Sequence, residues 1–154
     1  MCVQIKMLTH FLIFSSKVLK DICLYKTEKY IYLMKNMILV FVGGGIGSVM
    51  RYLINNLSTI SHHTFPLPTF LVNLCGSLLI GIFMAVFMDG TPTSENWKLL
   101  LISGFCGGFT TFSAFSKESF EMIQNQQWGS FSLYVFLSLA VCMGATALGF
   151  HLAK

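Results

Sequence analysis

Beyond residue 36 the chain alternates between long apolar stretches and short polar ones. The apolar runs cover about residues 37–57, 69–88, 97–123 and 129–152. A membrane-spanning helix needs about 20 predominantly apolar residues, so each run is long enough to cross a bilayer. The second run would extend about 30 Å at 1.5 Å per residue, the thickness of the hydrocarbon core. The pattern predicts an all-α integral membrane protein, a four-helix bundle.

The third run departs from the others. Its centre, GFCGGFTTFSAFSKE at residues 104–118, has the hydropathy of a span, but glycines and hydroxyls interrupt it too often for a good continuous helix. We expect the third helix to be broken there. In lipid every backbone N–H and C=O needs a partner inside the protein, so irregular backbone survives only when buried against protein or lining a wet cavity. The stretch therefore reads as a site. Its polar groups are mainly neutral hydroxyls and backbone, which handle an ion through dipoles rather than through fixed charge or redox chemistry.

The remaining spans carry fewer signals. In the first, GGGIGS at residues 43–48 leaves a groove without side chains that another helix can approach closely. Arg51 lies near its end, either as a snorkelling anchor or in a functional role. Pro66 and Pro68 open the second span, where a missing N–H at the first turn costs nothing. Within VNLCGS, residues 72–77, Asn73 needs a partner at membrane depth and is either interhelical glue or a pore donor. DGTPTSEN (89–96) and QNQQ (124–127) are turns, and Trp97 and Trp128 suit interfacial belts. Tyr134, Ser138, Cys142 and Ala145 or Thr146 recur at intervals of three or four, giving the fourth span a weakly polar stripe that serves helix packing or a pathway.

Composition agrees with the pattern: of 154 residues, 55% are hydrophobic and 10% charged, against about 25% charged in an ordinary soluble domain. Four spans leave no room for a soluble domain, and so small a bundle offers little space for a pore inside one protomer, so a homo-oligomer in the lipid bilayer is expected. The five cysteines are scattered without a Cys-x-x-Cys spacing, and His62 and His63 have no ligand-spaced neighbours. No Ser/His/Asp set, P-loop or dinucleotide fingerprint is present, so neither an enzyme nor a nucleic-acid partner is expected.

Charge separates residues 1–33 from the rest. Lys6, Lys17, Lys20, Lys26 and Lys29 are half of the lysines and arginines. The short apolar run near residues 7–14 cannot span a bilayer and lacks a following cleavage site. A disordered or interfacial extension is one reading; a start-site artefact, with translation beginning at Met34, is the one we favour. Four spans put both termini on one side. From Met34 onward that side has Lys35, Lys98 and Lys154, the other Arg51 and Lys117, almost no positive-inside bias. Such a chain can insert either way and form an inverted two-fold dimer with itself. The five N-terminal lysines would abolish the ambiguity. Small proton-coupled exporters share this layout but need a carboxylate deep in a span, whereas Asp89, Glu95, Glu118 and Glu121 sit at span ends. An accessory membrane protein without transport stays open on composition.

Taken together, GGGIGSVMRY (43–52), VNLCGS and GFCGGFTTFSAFS, in that order and spacing, resemble the bacterial fluoride channel family, CrcB or Fluc, over residues 34–154. The resemblance implies a fluoride-selective passive channel of the bacterial plasma membrane, built as an antiparallel, dual-topology homodimer with two narrow pores. It implies that Phe112 and Phe115 are pore rings, that Asn73 is the pore amide, and that Ser113, Tyr134, Ser138 and Thr146 form a polar track for fluoride. It further implies a structural sodium ion at the dimer centre, held by the backbone carbonyls of Gly107 and Thr110, with Arg51 near a vestibule. Ala114 stands where the family usually has threonine.

Overall fold

The computed structural model describes residues 2–57, 65–88 and 90–154, with side chains from Leu24 onward. The loop carrying His62 and His63, and Asp89, lie outside the described residues. Among the described residues all regular structure is helical: α1 (Cys2–Leu57), α2 (Leu67–Val86), α3 (Pro92–Trp97), a π-helical stretch (Lys98–Cys106), α4 (Gly107–Phe109), α5 (Phe112–Gln124) and α6 (Trp128–Ala153). Four segments are long and apolar enough to cross a membrane: Leu24–Asn56, Leu67–Val86, Pro92–Gln124 and Trp128–Ala153.

The chain divides into two compact units, Met1–Met37 and Ile38–Lys154. The first is helical from Cys2. Its Tyr25, Tyr30, Ile31 and Tyr32 are exposed, and Lys35 Nζ lies 5.4 Å from the centre of the Tyr32 ring.

In the second unit the helices approach through glycine. A Cβ on Gly81 would overlap the Thr146 carbonyl oxygen, and one on Gly149 the Leu78 carbonyl oxygen. Small residues let backbones come close where lipid supplies no hydrophobic drive between helices, so α2 and α6 lie against each other along these two positions. The GGGIGS motif does the same between α1 and the third span: Gly43 faces Leu100 and Phe105, and Gly47 faces Phe105 and Phe109.

The helix ends follow local chemistry. Pro92 occupies the first turn of α3, and Thr91 accepts the Ser94 amide at 3.2 Å as its N-cap. At the far end of α5, Gln126 has φ 56°, and the Gln126 and Gln127 amides reach back to the Ile123 and Met122 carbonyls at 3.0 and 2.9 Å. That is a Schellman stop, with glutamine where glycine is usual.

The interior is small and includes Val72, Cys106, Phe109, Met122, Tyr134 and Ala145. Phe41, Phe112, Phe136, Met143 and Leu152 are all exposed, an outward apolar surface suited to lipid or to another membrane subunit.

Candidate functional site

Between α4 and α5 two residues leave the helical conformation. Thr110 has φ −74°, ψ 157°, and Thr111 has φ −149°, ψ 113°, both extended. Asn73, on α2, meets this pair with both ends of its amide: Oδ1 accepts the Thr111 N–H at 2.8 Å, and Nδ2 donates to the Thr111 carbonyl at 3.2 Å. The Thr111 hydroxyl accepts the Ala114 amide at 3.2 Å and so caps α5. Every polar group of Thr111 thereby has a partner, which lets an extended residue persist at membrane depth.

The same bonds alter the carbonyls before them. In a continuous helix the Thr111 and Ala114 amides would close onto the carbonyls of Gly107 and Thr110, four residues earlier. Here they turn to Asn73 and to the Thr111 side chain instead. Thr110 packs into the niche left by Gly76, where a Cβ would collide with its methyl group, and its hydroxyl donates to the Cys106 carbonyl at 2.9 Å.

Beside the pair lies a groove of about 250 Å³ lined by Asn73, Ser77, Thr110, Thr111, Phe112, Phe115, Ser138 and Cys142, among others. Phe112 and Phe115, one helical turn apart on α5, stand with ring centres 5.5 Å apart and planes inclined by 36°. Phe112 is 76% exposed. The Ser138 hydroxyl oxygen is buried and has no hydrogen-bond partner among the described residues. The groove thus offers two aromatic rings, part of an amide donor and one unpartnered hydroxyl, with no charged residue in its lining.

Of the residues the sequence singles out, the structure brings Asn73, Phe112, Phe115, Ser138 and Thr110 to this groove. Cys142 of the polar stripe also lines it, whereas Tyr134, Thr146, Ser113, Gly107 and Arg51 are not in its lining. Tyr134 is fully buried, and its hydroxyl donates to Glu118 Oε2 at 2.8 Å. The Thr146 hydroxyl is turned to the carbonyls of Ser77 and Cys142, at 3.1 and 3.2 Å. Ser113 is exposed, with its hydroxyl 3.1 Å from that of Thr111. Gly107 is exposed at the start of α4, and Arg51 is partly exposed near the end of α1.

Sequence reasoning missed Glu118, which it placed only at the end of a span. Glu118 is only partly exposed, and its carboxylate also accepts the Thr69 hydroxyl at 2.6 Å. The signal was present: Thr69 and Asn73 are four residues apart on α2 and share a face, as do Thr111 and Glu118, two helical turns apart. A polar pair on one face of each segment, Thr69 with Asn73 and Thr111 with Glu118, marks two helices joined by hydrogen bonds.

Comparison with known proteins decides the family. The family described as "CrcB-like protein, Camphor Resistance (CrcB)" matches residues 38–150. The chain belongs to the CrcB family. Among its relatives, the protein named "Fluoride-specific ion channel FluC" from Azobacteroides pseudotrichonymphae is 40% identical over 123 residues, covering 79% of this chain and 98% of the relative. The protein of the same name from Bacteroides fragilis is 41% identical over 125 residues, with 79% and 98% covered. That from Escherichia coli K12 is 41% identical over 120 residues, covering 78% of this chain and 94% of its own length. The CrcB match contains all three glycine- and phenylalanine-rich motifs, and so both sides of the groove.

Proposed function

We infer that this chain is a fluoride-specific passive channel of a bacterial plasma membrane, a multi-pass protein without catalytic activity. Membership of the CrcB family and the names of its relatives support the substrate. The observation that carries the mechanism is the convergence of Asn73, Phe112, Phe115 and Ser138 on one uncharged groove beside extended backbone.

Fluoride is small and holds its water tightly, so a pathway must replace that water with donors without trapping the ion. Aromatic rings are positive at their edges, and Phe112 and Phe115 line the groove, where such edges would receive an anion. Asn73 has one amide proton beyond the bond to Thr111, and Ser138 has an unengaged hydroxyl proton. Neutral donors hold an anion weakly at several points, as conduction requires. The extended pair also places the N-terminus of α5, the positive end of a helix dipole, at the groove. Because hydrogen fluoride enters a cell neutral and dissociates inside, a negative interior drives the anion outward and no energy coupling is needed.

In this reading the extended pair is the break in the third span, and two copies assemble head to tail with two pores along their contact. The exposed Phe112 fits this arrangement, since a half-open groove needs a second wall. The carbonyls of Gly107 and Thr110, from which the helical amide partners are diverted, are hard oxygen donors at a negative helix end and fit a monovalent cation. Sodium bound there would supply a fixed positive centre joining the two copies. Tyr134, Ser113 and Thr146 support the track indirectly, through Glu118, Thr111 and the α2–α6 contact. Arg51 would draw anions toward a vestibule. The channel domain runs from Met34 to Lys154, and residues 1–33 lie outside it.

The test is fluoride release from liposomes containing the purified protein, with internal and external pH held equal. A channel empties the vesicles under these conditions once counter-ion flow is provided. A proton-coupled exporter needs the pH gradient, and an accessory protein gives no release; either result would remove the proposal.

A further inference from the structure

We propose that Phe65, which precedes α2, is a positioning residue for the groove: it braces Tyr134, and through Tyr134 holds the Phe115 ring at the angle that receives fluoride. The inference rests on the assignment of Phe112 and Phe115 to the ion path.

Three ring contacts connect Phe65 to the groove. Phe65 meets Tyr134 edge to face, with centres 5.3 Å apart and planes at 81°. Tyr134 meets Phe115 at 5.1 Å and 43°. Phe115 meets Phe112 at 5.5 Å and 36°. Tyr134 is fully buried, and its hydroxyl is held on Glu118 at 2.8 Å. A ring pinned at its oxygen can still tilt, and the contact with Phe65 opposes that tilt.

Phe65 is itself held firmly. The Leu67 amide bonds the Phe65 carbonyl at 2.9 Å, and Pro66 between them has φ −81° and ψ 68°. These values define an inverse γ-turn, and proline at its centre fixes φ. The residue before a proline is confined to extended conformations, so the backbone under Phe65 has little choice. Its ring is steadied a second time by Phe70, edge to face at 5.9 Å and 70°. A rigid turn at the mouth of α2 thus delivers one ring against the buried tyrosine behind the groove. Phe65 touches neither Phe112 nor Phe115 in these contacts, so its action on fluoride is indirect.

Leucine fills nearly the volume of a phenylalanine without its edge-to-face geometry, which separates orientation from simple filling. The experiment compares Phe65→Leu, Phe65→Tyr and Phe112→Ile with the parent protein in liposomes, reading both the fluoride release rate and the fluoride-to-chloride ratio. Each protein is first shown to elute as a single species of unchanged size in detergent. We expect Phe65→Leu to lower fluoride release and the ratio together by about fivefold to tenfold, the worth of one aromatic pair. Phe65→Tyr, which keeps the ring, should restore both. A Phe65→Leu protein with the parent's ratio, or a Phe65→Tyr protein as impaired as Phe65→Leu, overturns the proposal. Should Phe112→Ile conduct normally, the ion path itself is misassigned, a failure distinct from that of Phe65.

Discussion

At the scale of single residues, Asn73 and Glu118 do most to hold the site together. Asn73 bonds both the amide and the carbonyl of Thr111, so one side chain serves as structural glue and as groove lining at once. Replacing it by aspartate keeps the acceptor for the Thr111 amide, removes the donor, and places a negative charge on the path. A unit charge about 4 Å from an anion, at an effective dielectric of about 20, costs about 4 kcal/mol. Asn73→Asp is therefore expected to slow fluoride release by more than about a hundredfold, measured with a fluoride electrode; release near the parent rate would remove Asn73 from the path. Glu118 accepts from two buried hydroxyls, Thr69 and Tyr134. Glu118→Ala leaves both without an acceptor, at about 1–3 kcal/mol for each orphaned group. A clear fall in the unfolding temperature in detergent is expected, and an unchanged melting curve would mean that these bonds contribute nothing.

At the scale of elements, the third span depends on a cap within the membrane. Thr111→Val removes the acceptor for the Ala114 amide, a loss of about 1 kcal/mol for a helix N-cap. Thermal unfolding should register that loss, and an unaltered transition would show that water or another donor set replaces the cap. This element also shows how far the sequence could be read. The four spans were legible because apolar length is set by bilayer thickness, and the irregularity near residues 104–118 because glycine and hydroxyl residues disfavour helix. The role of Thr111 was not, since it depends on Asn73 arriving from another helix. Tyr134 and Thr146 were legible as members of a polar stripe, but helical spacing alone does not distinguish a hydroxyl that faces a groove from one that bonds a carboxylate or a carbonyl. Phe65 gave no signal beyond its place before a proline.

At the scale of the whole molecule, the proposed head-to-tail dimer requires copies of opposite orientation. From Met34 onward Lys35, Lys98 and Lys154 oppose Arg51 and Lys117, while the five lysines before Met34 all fall on the first side. A C-terminal reporter should therefore appear on both faces of the membrane when translation begins at Met34, and on the cytoplasmic face alone when it begins at Met1. A single orientation from the Met34 start would exclude the inverted dimer. The central claim, that fluoride passes along the Phe112 and Phe115 edges, is tested most directly by ion release from liposomes loaded with equal fluoride and chloride. The parent protein should discharge fluoride and retain chloride, and Phe112→Ile should release little of either. Equal loss of the two halides from the parent, or undiminished fluoride release by Phe112→Ile, would contradict it.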